Sequence, residues 1–189
     1  MPHACPYRFG LVLFAFCTIA LGAGCSSDSS PRSVVTLESI NDNLTLNSDV
    51  YNNGPDGVPG TSDDYILEDH VSFAVRNRPH DPALNVRAGG PFSVVVFQRF
   101  EVRFDGPESL PDVTGPLNLR VSSGNSASGE ITIVPAGYKA DPTLPLISLR
   151  RGGEYRFQAH VTLIGQEEDS KDPVKVSGIL PVNCANWSD

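Results

Sequence analysis

The chain is predicted to be all-β, an antiparallel sandwich or small barrel of about eight short strands. Three observations predict it. Apolar residues recur at every second position in run after run, which is the period of a strand with one buried face. Sixteen prolines and seventeen glycines separate the runs, and both residues end or bend regular structure. No segment carries a sustained helical period with capping residues, so helices are not expected to build the core.

Taken in order, Ser33 to Ile40 (SVVTLESI) is the first strand. Glu68 to Asn77 follows, with Val71, Phe73 and Val75 on one face and Ser72 and Arg76 on the other. Phe92 to Phe104 is longer. Phe92, Val94, Val96, Phe100, Val102 and Phe104 share one side, while the other begins apolar at Val95 and Phe97 and turns charged at Arg99, Glu101 and Arg103. That pattern predicts a central strand covered on both faces at its start. Shorter alternations come at Leu117, Leu119 and Val121, at Ile131 and Ile133, and at Leu146 to Leu149. Ser123 to Gly129 reads as a hairpin or crossover loop. Tyr155 to Leu163 alternates most cleanly, with Tyr155, Phe157, Ala159, Val161 and Leu163 opposite Arg156, Gln158, His160 and Thr162. Val174 to Cys184 closes the series, and Pro181 inside it favours an edge or a bulge.

The stretch Leu149 to Ala159 (LRRGGEYRFQA) carries Gly153, Tyr155 and Phe157 in the spacing G-x-Y-x-hydrophobe. It resembles the start of strand F in immunoglobulin-like domains. The resemblance implies an immunoglobulin-like antiparallel two-sheet sandwich of about 7–9 strands with long loops. It also implies a tyrosine corner, in which the Tyr155 ring packs inward and its hydroxyl bonds to backbone a few residues upstream. Glu154–Ile164 and Val174–Cys184 would then be strands F and G. This fold hosts many functions and names none of them.

The first 24 residues have a different character. Met1 to Arg8 is short and positively charged, and Phe9 to Gly24 is apolar and rich in small residues, the layout of an export signal. Leu21-Gly22-Ala23-Gly24-Cys25 resembles the lipobox of bacterial lipoproteins, with Gly22 where leucine is usual. The resemblance implies cleavage before Cys25 and acylation of that cysteine, the lipidation site. Ser26 after it implies transport to the outer membrane, with the domain extracytoplasmic. Several acyl chains on one cysteine make a lasting anchor. An ordinary secretory signal cut near Ala23, leaving a secreted or periplasmic protein, is the alternative. The chain thus divides into a signal peptide (1–24), a polar tether (25–33) and one domain (34–189), whose excess over a plain immunoglobulin domain falls in loops around 41–64, 78–91 and 135–145.

Charge restricts the partners. Loss of residues 1–24 removes Arg8 and no acidic residue, leaving 13 Lys+Arg against 22 Asp+Glu, a net charge of −9. Such a domain is unsuited to nucleic acid or to an anionic membrane surface, so membrane attachment falls to acylated Cys25. Cys5 and Cys17 leave with the signal, and Cys184 remains with no partner for an intramolecular disulfide. Its apolar setting (ILPVNCANW) reads as a small buried hydrophobe.

Chemistry-bearing motifs are sparse. Asn52, Asp56 and Asp63 fall at positions one, five and twelve of a loop with Gly57 at six, a partial match to the calcium-loop spacing of oxygen ligands around a glycine. Gly54 stands where Asp or Asn belongs, no helices flank the loop, and a solvated turn explains the same residues. Asp49 is a neighbouring oxygen donor. Glu68 and His70 share a strand face, while His80 and His160 match no zinc spacing. No nucleophile elbow or phosphate-binding glycine loop is present. Trp187 is expected to cap one end of the core, with an exposed contact residue as the alternative. The reading is therefore a non-enzymatic, lipid-anchored envelope module without an obligatory cofactor, which binds another envelope or extracellular protein or serves structurally. The alternatives are a calcium-stabilised adhesion or carbohydrate-binding module, and a hydrolase whose site joins residues distant in sequence.

Overall fold

The computed structural model describes residues 33–58, 60–79 and 94–187. Cys25, the leader, the tether through residue 32, His80 and Phe92 lie outside the described residues. The described strands are β1 (Ser33–Ile40), β2 (Leu46–Asp49), β3 (Asp69–Pro79), β4 (Val95–Asp105), β5 (Val113–Val121), β6 (Ser126–Val134), β7 (Glu154–Glu167) and β8 (Pro173–Ala185). They form a three-stranded sheet, β1-β3-β6, and a five-stranded sheet, β2-β8-β7-β4-β5. The all-β expectation holds. Every pairing between these strands is antiparallel except β2 with β8, which is parallel.

The core lies between the sheets. Val71, Phe73, Val75, Ile131 and Ile133 from the first meet Val95, Phe97, Phe100, Val102, Phe157, Ala159, Val161, Leu163, Leu180 and Val182 from the second. Each such side chain contributes about 1.5–3 kcal/mol by leaving water. β7 keeps the alternation read from sequence, with Phe157, Ala159, Val161 and Leu163 buried and Arg156, Gln158 and His160 exposed.

Five sequence expectations are corrected. Val94 and Val95 are both buried at the start of β4, but Val96, Phe100, Val102 and Phe104 do not share one buried face, because the register slips between Phe97 and Arg99. Gln98 is the extra residue of a β-bulge, so the core-facing set changes phase from Val95 and Phe97 to Phe100 and Val102, as one inserted residue requires. Leu146–Leu149 is not a strand. Pro145 opens a 3₁₀ segment, Pro145–Arg151, in which Leu146 and Leu149 both fall on its buried side, as three residues per turn dictates. Within the loop expected at 41–64, Leu46–Asp49 pairs with Val182–Ala185 as β2. Ser126–Gly129, expected as loop, belongs to β6 and pairs with Phe73–Arg76. Trp187 is 41% exposed and does not cap the core.

Pro181 pairs with Gln158 of β7, whereas β2 joins β8 only from Val182 onward. The proline therefore ends the stretch over which β8 is an edge, the position that a residue without an N–H tolerates.

The topology gives the domain two distinct ends. At one, the Ser33 amide donates to the buried Glu167 carboxylate at 2.7 Å, and buried Asn77 donates from Nδ2 to the Val121 carbonyl at 3.0 Å. The chain enters the domain here. At the other end lie the start of β3, the start of β7 and the end of β8, joined across the sheets where the Ser48 hydroxyl donates to Asp69 Oδ2 at 2.6 Å. The described connections 50–58 and 60–68, 106–112 and 135–153 all leave from this far end.

Candidate functional site

The far end is where the side chains converge that backbone packing alone does not explain. Tyr51, just past β2, donates its hydroxyl to Asp64 Oδ2 at 2.5 Å, and the Gly60 amide donates to the same oxygen at 2.6 Å. That pairing raises the Tyr51 phenol above its usual range and lowers the Asp64 carboxyl below its own. The Arg150 guanidinium stacks 4.8 Å from the centre of the Tyr51 ring and donates from Nη2 to the Lys139 carbonyl at 3.1 Å. Asn52 and Tyr65 form an antiparallel bridge that closes the loop at its neck.

Lys139 is the least expected of these residues. It sits on α1 (Ala136–Ala140) and is fully buried. Its Nζ donates to the Asp49 carbonyl at 2.7 Å and lies 2.8 Å from Asp69 Oδ2, the side chains being 1% and 15% exposed. Burying an ammonium is costly unless it is paired and hydrogen-bonded, and this one is both. Removing one partner of such a pair costs about 3–5 kcal/mol, because the other is left buried and charged. Buried Cys184 of β8 adjoins the cluster; burial pushes its thiol up to about 11, with Ser48, Asp69 and Lys139 as further influences. A small cavity of ≈ 130 Å³, lined by Asn47, Asp49, Asn52, Leu67, Asp69 and Lys139, opens beside the ion pair.

Large apolar side chains stand exposed around this polar brace. Val58 is 52%, Leu67 61% and Trp187 41% exposed, and Tyr65 is exposed alongside them. These four are a majority of the seven exposed large hydrophobics among the described residues. Leu44 and Ile179 lie together on one flank instead, beside a cleft between β1 and β8. A broader groove of ≈ 920 Å³ crosses the outer face of β4, β7 and β8, where Arg103, His160 and Ile179 form one row across the strands.

The sequence-predicted loop ligands have local partners. Asn52 Oδ1 accepts the Gly54 amide at 2.9 Å, and Asp56 Oδ1 accepts the Val58 amide at 2.8 Å. Asp63 Oδ1 accepts the Thr61 hydroxyl at 2.6 Å, and that hydroxyl also lies near Asp56 and Asp64. The loop's own threonine thus sits among the carboxylates. Among the described residues no group of three or more His, Cys, Asp or Glu side chains is placed to hold one metal ion. His70 meets Glu68 at 2.9 Å and Thr132 at 3.2 Å, on an exposed face. His160 is exposed in the groove.

The motif residues Gly153, Tyr155 and Phe157 stand at the entry to β7. Gly152 and Gly153 adopt φ +103° and +105°, a region that side chains with a Cβ rarely enter. The Tyr155 ring packs edge-on against buried Phe157 with centroids 6.2 Å apart. Its hydroxyl meets the Ser148 hydroxyl at 3.4 Å, and Ser148 in turn donates to the Pro145 carbonyl at 2.7 Å. The tyrosine does reach upstream, but to a side chain in the 3₁₀ segment and not to backbone.

Sequence reasoning missed Ser48, Tyr51, Asp69, Lys139 and Arg150 as a group. Their separation along the chain hides it, and a single lysine between Tyr138 and Ala140 carries no periodic signal.

A scan against protein-family models finds no match, and a search of curated proteins finds none either. Among solved structures, the chain is similar to the solution structure of a protein assigned to the late embryogenesis abundant (LEA) group. The likeness covers 84% of this chain and 75% of that one, at 11% identity and a TM-score of 0.43.

Proposed function

We propose that this protein is a lipid-anchored, non-enzymatic module of the bacterial outer membrane that binds another envelope or extracellular protein through the end of the domain farthest from its tether. The observation that carries the reading is the gathering of Val58, Tyr65, Leu67 and Trp187 at the end opposite Ser33. Exposed apolar side chains clustered on loops and rimmed by polar groups mark protein contact surfaces. A chain held at Cys25 and entering the domain near the β7–β8 turn presents that far end away from the membrane. The Asp64–Tyr51–Arg150–Lys139–Asp69 brace holds the contact loops in one arrangement and lowers the entropy lost on binding.

The scaffold we infer is an immunoglobulin-type sandwich. In that description β1, β3 and β6 are strands A, B and E, while β2, β8, β7, β4 and β5 are A′, G, F, C and C′. The parallel β2–β8 pair and Tyr155 at the start of β7 support it. The outward rows of β4, β7 and β8 offer a second, more polar surface.

Two measurements test the proposal. Detergent partitioning compares the full chain with Cys25→Ser: the wild type enters the detergent phase and the variant stays aqueous, and equal partitioning contradicts the anchor. For binding, Leu67→Asp with Trp187→Ala abolishes complex formation in native envelopes, whereas Ile179→Asp on the flank leaves it intact, all at wild-type melting temperatures. Binding lost only with Ile179→Asp contradicts the choice of surface.

A further inference from the structure

We propose that Lys139 and Asp69 are the two halves of an intramolecular amide cross-link, formed by condensation of the buried ion pair and tying α1 to the start of β3. This goes beyond the binding reading and does not depend on it. Nζ lies 2.8 Å from Oδ2 with both side chains largely withdrawn from water, and reacting groups held in contact escape most of the entropic cost of meeting. Lys139 is further fixed by its bond to the Asp49 carbonyl at 2.7 Å. Asp69 is fixed by the Ser48 hydroxyl, which donates to the same Oδ2 at 2.6 Å. The ion pair keeps two charges largely out of water, whereas an amide is neutral there.

The step balances within the pair. One ammonium proton crosses to Oδ2, leaving an amine beside a carboxylic acid. The amine lone pair forms the Nζ–Cγ bond, and a second nitrogen proton passes to the hydroxyl on Cγ. The Cγ–O bond then breaks and water departs, while the third proton stays on the amide nitrogen. The Ser48 hydroxyl supports the departing oxygen by its existing hydrogen bond. The adjoining ≈ 130 Å³ cavity, lined by both reacting residues, has room for the released water. No oxidant or co-reactant enters.

Among the described residues the single cysteine, Cys184, is free, so no disulfide clasps this end. A covalent link between residues 69 and 139 restricts the unfolded chain as any cross-link across a long loop does.

The test is peptide mapping of the denatured, trypsin-digested full chain by mass spectrometry. The expected result is a joined pair, one peptide containing Asp69 and the other Lys139, lighter than their sum by one water and uncut after Lys139. Lys139→Arg abolishes the joined pair. Separate, unmodified peptides with cleavage after Lys139 overturn the proposal. So does loss of water from the Asp69 peptide alone, since that is internal dehydration without a cross-link.

Discussion

Replacing Gly165 by alanine tests the bulge that sets the phase of β4. Gly165 of β7 stands opposite Phe97, where the β4 register slips. A Cβ added there lies 2.2 Å from the Val96 carbonyl oxygen and 2.7 Å from Phe97 Cα, against an ordinary carbon contact of about 3.5 Å. Both obstacles are backbone of an adjoining interior strand, so no side chain can swing aside. Overpacking of this kind costs about 1–3 kcal/mol, and the contact with backbone favours the upper end. Lower unfolded-state entropy returns about 0.5–1 kcal/mol. The net loss is about 2 kcal/mol, which lowers Tm by about 4–8 °C for a domain of this size. The control is Gly137→Ala on α1, where an added Cβ has nothing within 4 Å; it melts at or slightly above the wild-type temperature. Thermal unfolding followed by circular dichroism decides the matter. A Gly165→Ala melt that coincides with wild type refutes the reasoning about the bulge.

Two further predictions concern pH and backbone strain. The Cys184 thiol ionises at 9.0 in the unfolded chain and at about 11 when folded, so between those values the unfolded state binds fewer protons. Stability is therefore fully present below pH 9 and falls as pH rises, by about 1.4 kcal/mol per unit. Urea titrations of Cys184→Ala show that fall removed between pH 9 and 10, with the raised Tyr51 phenol still contributing a loss above pH 10. Second, Asn41, Asp42 and Asn43 turn the chain from β1 toward β2 with φ of 49°, 51° and 62°, which Asn and Asp tolerate better than branched residues do. Asp42→Val lowers stability by about 1–2 kcal/mol in the same titration, and an unchanged midpoint counts against strain at this turn.

What could be read from the sequence follows the reach of each signal. Period-two alternation is local, and it located β1, β3, β7 and most of β8, down to which residues of β7 are buried. It failed along β4 because one extra residue, Gln98, inverts the parity, so that the core-facing set passes from Val95 and Phe97 to Phe100 and Val102. It failed at Leu146–Leu149 because a turn of 3₁₀ helix and a short apolar strand use the same residue types. β2 escaped because four residues, Leu46–Asp49, carry too little pattern; their parallel pairing with β8 comes from the tertiary fold. The polar brace lies furthest from sequence reasoning. Lys139, Asp69 and Ser48 meet only because α1, β3 and β2 end at the same place, and nothing near each residue in the chain announces the others.

The most direct test of the central claim introduces a photo-crosslinking residue at Leu67, or at Ser72 on the exposed outer face of β3, and irradiates cells carrying the full chain. The account predicts one discrete protein adduct from Leu67, lost when Trp187→Ala is added, and none from Ser72. Adducts of equal yield from both positions, or an adduct from Ser72 alone, contradict a contact surface at the end opposite the tether.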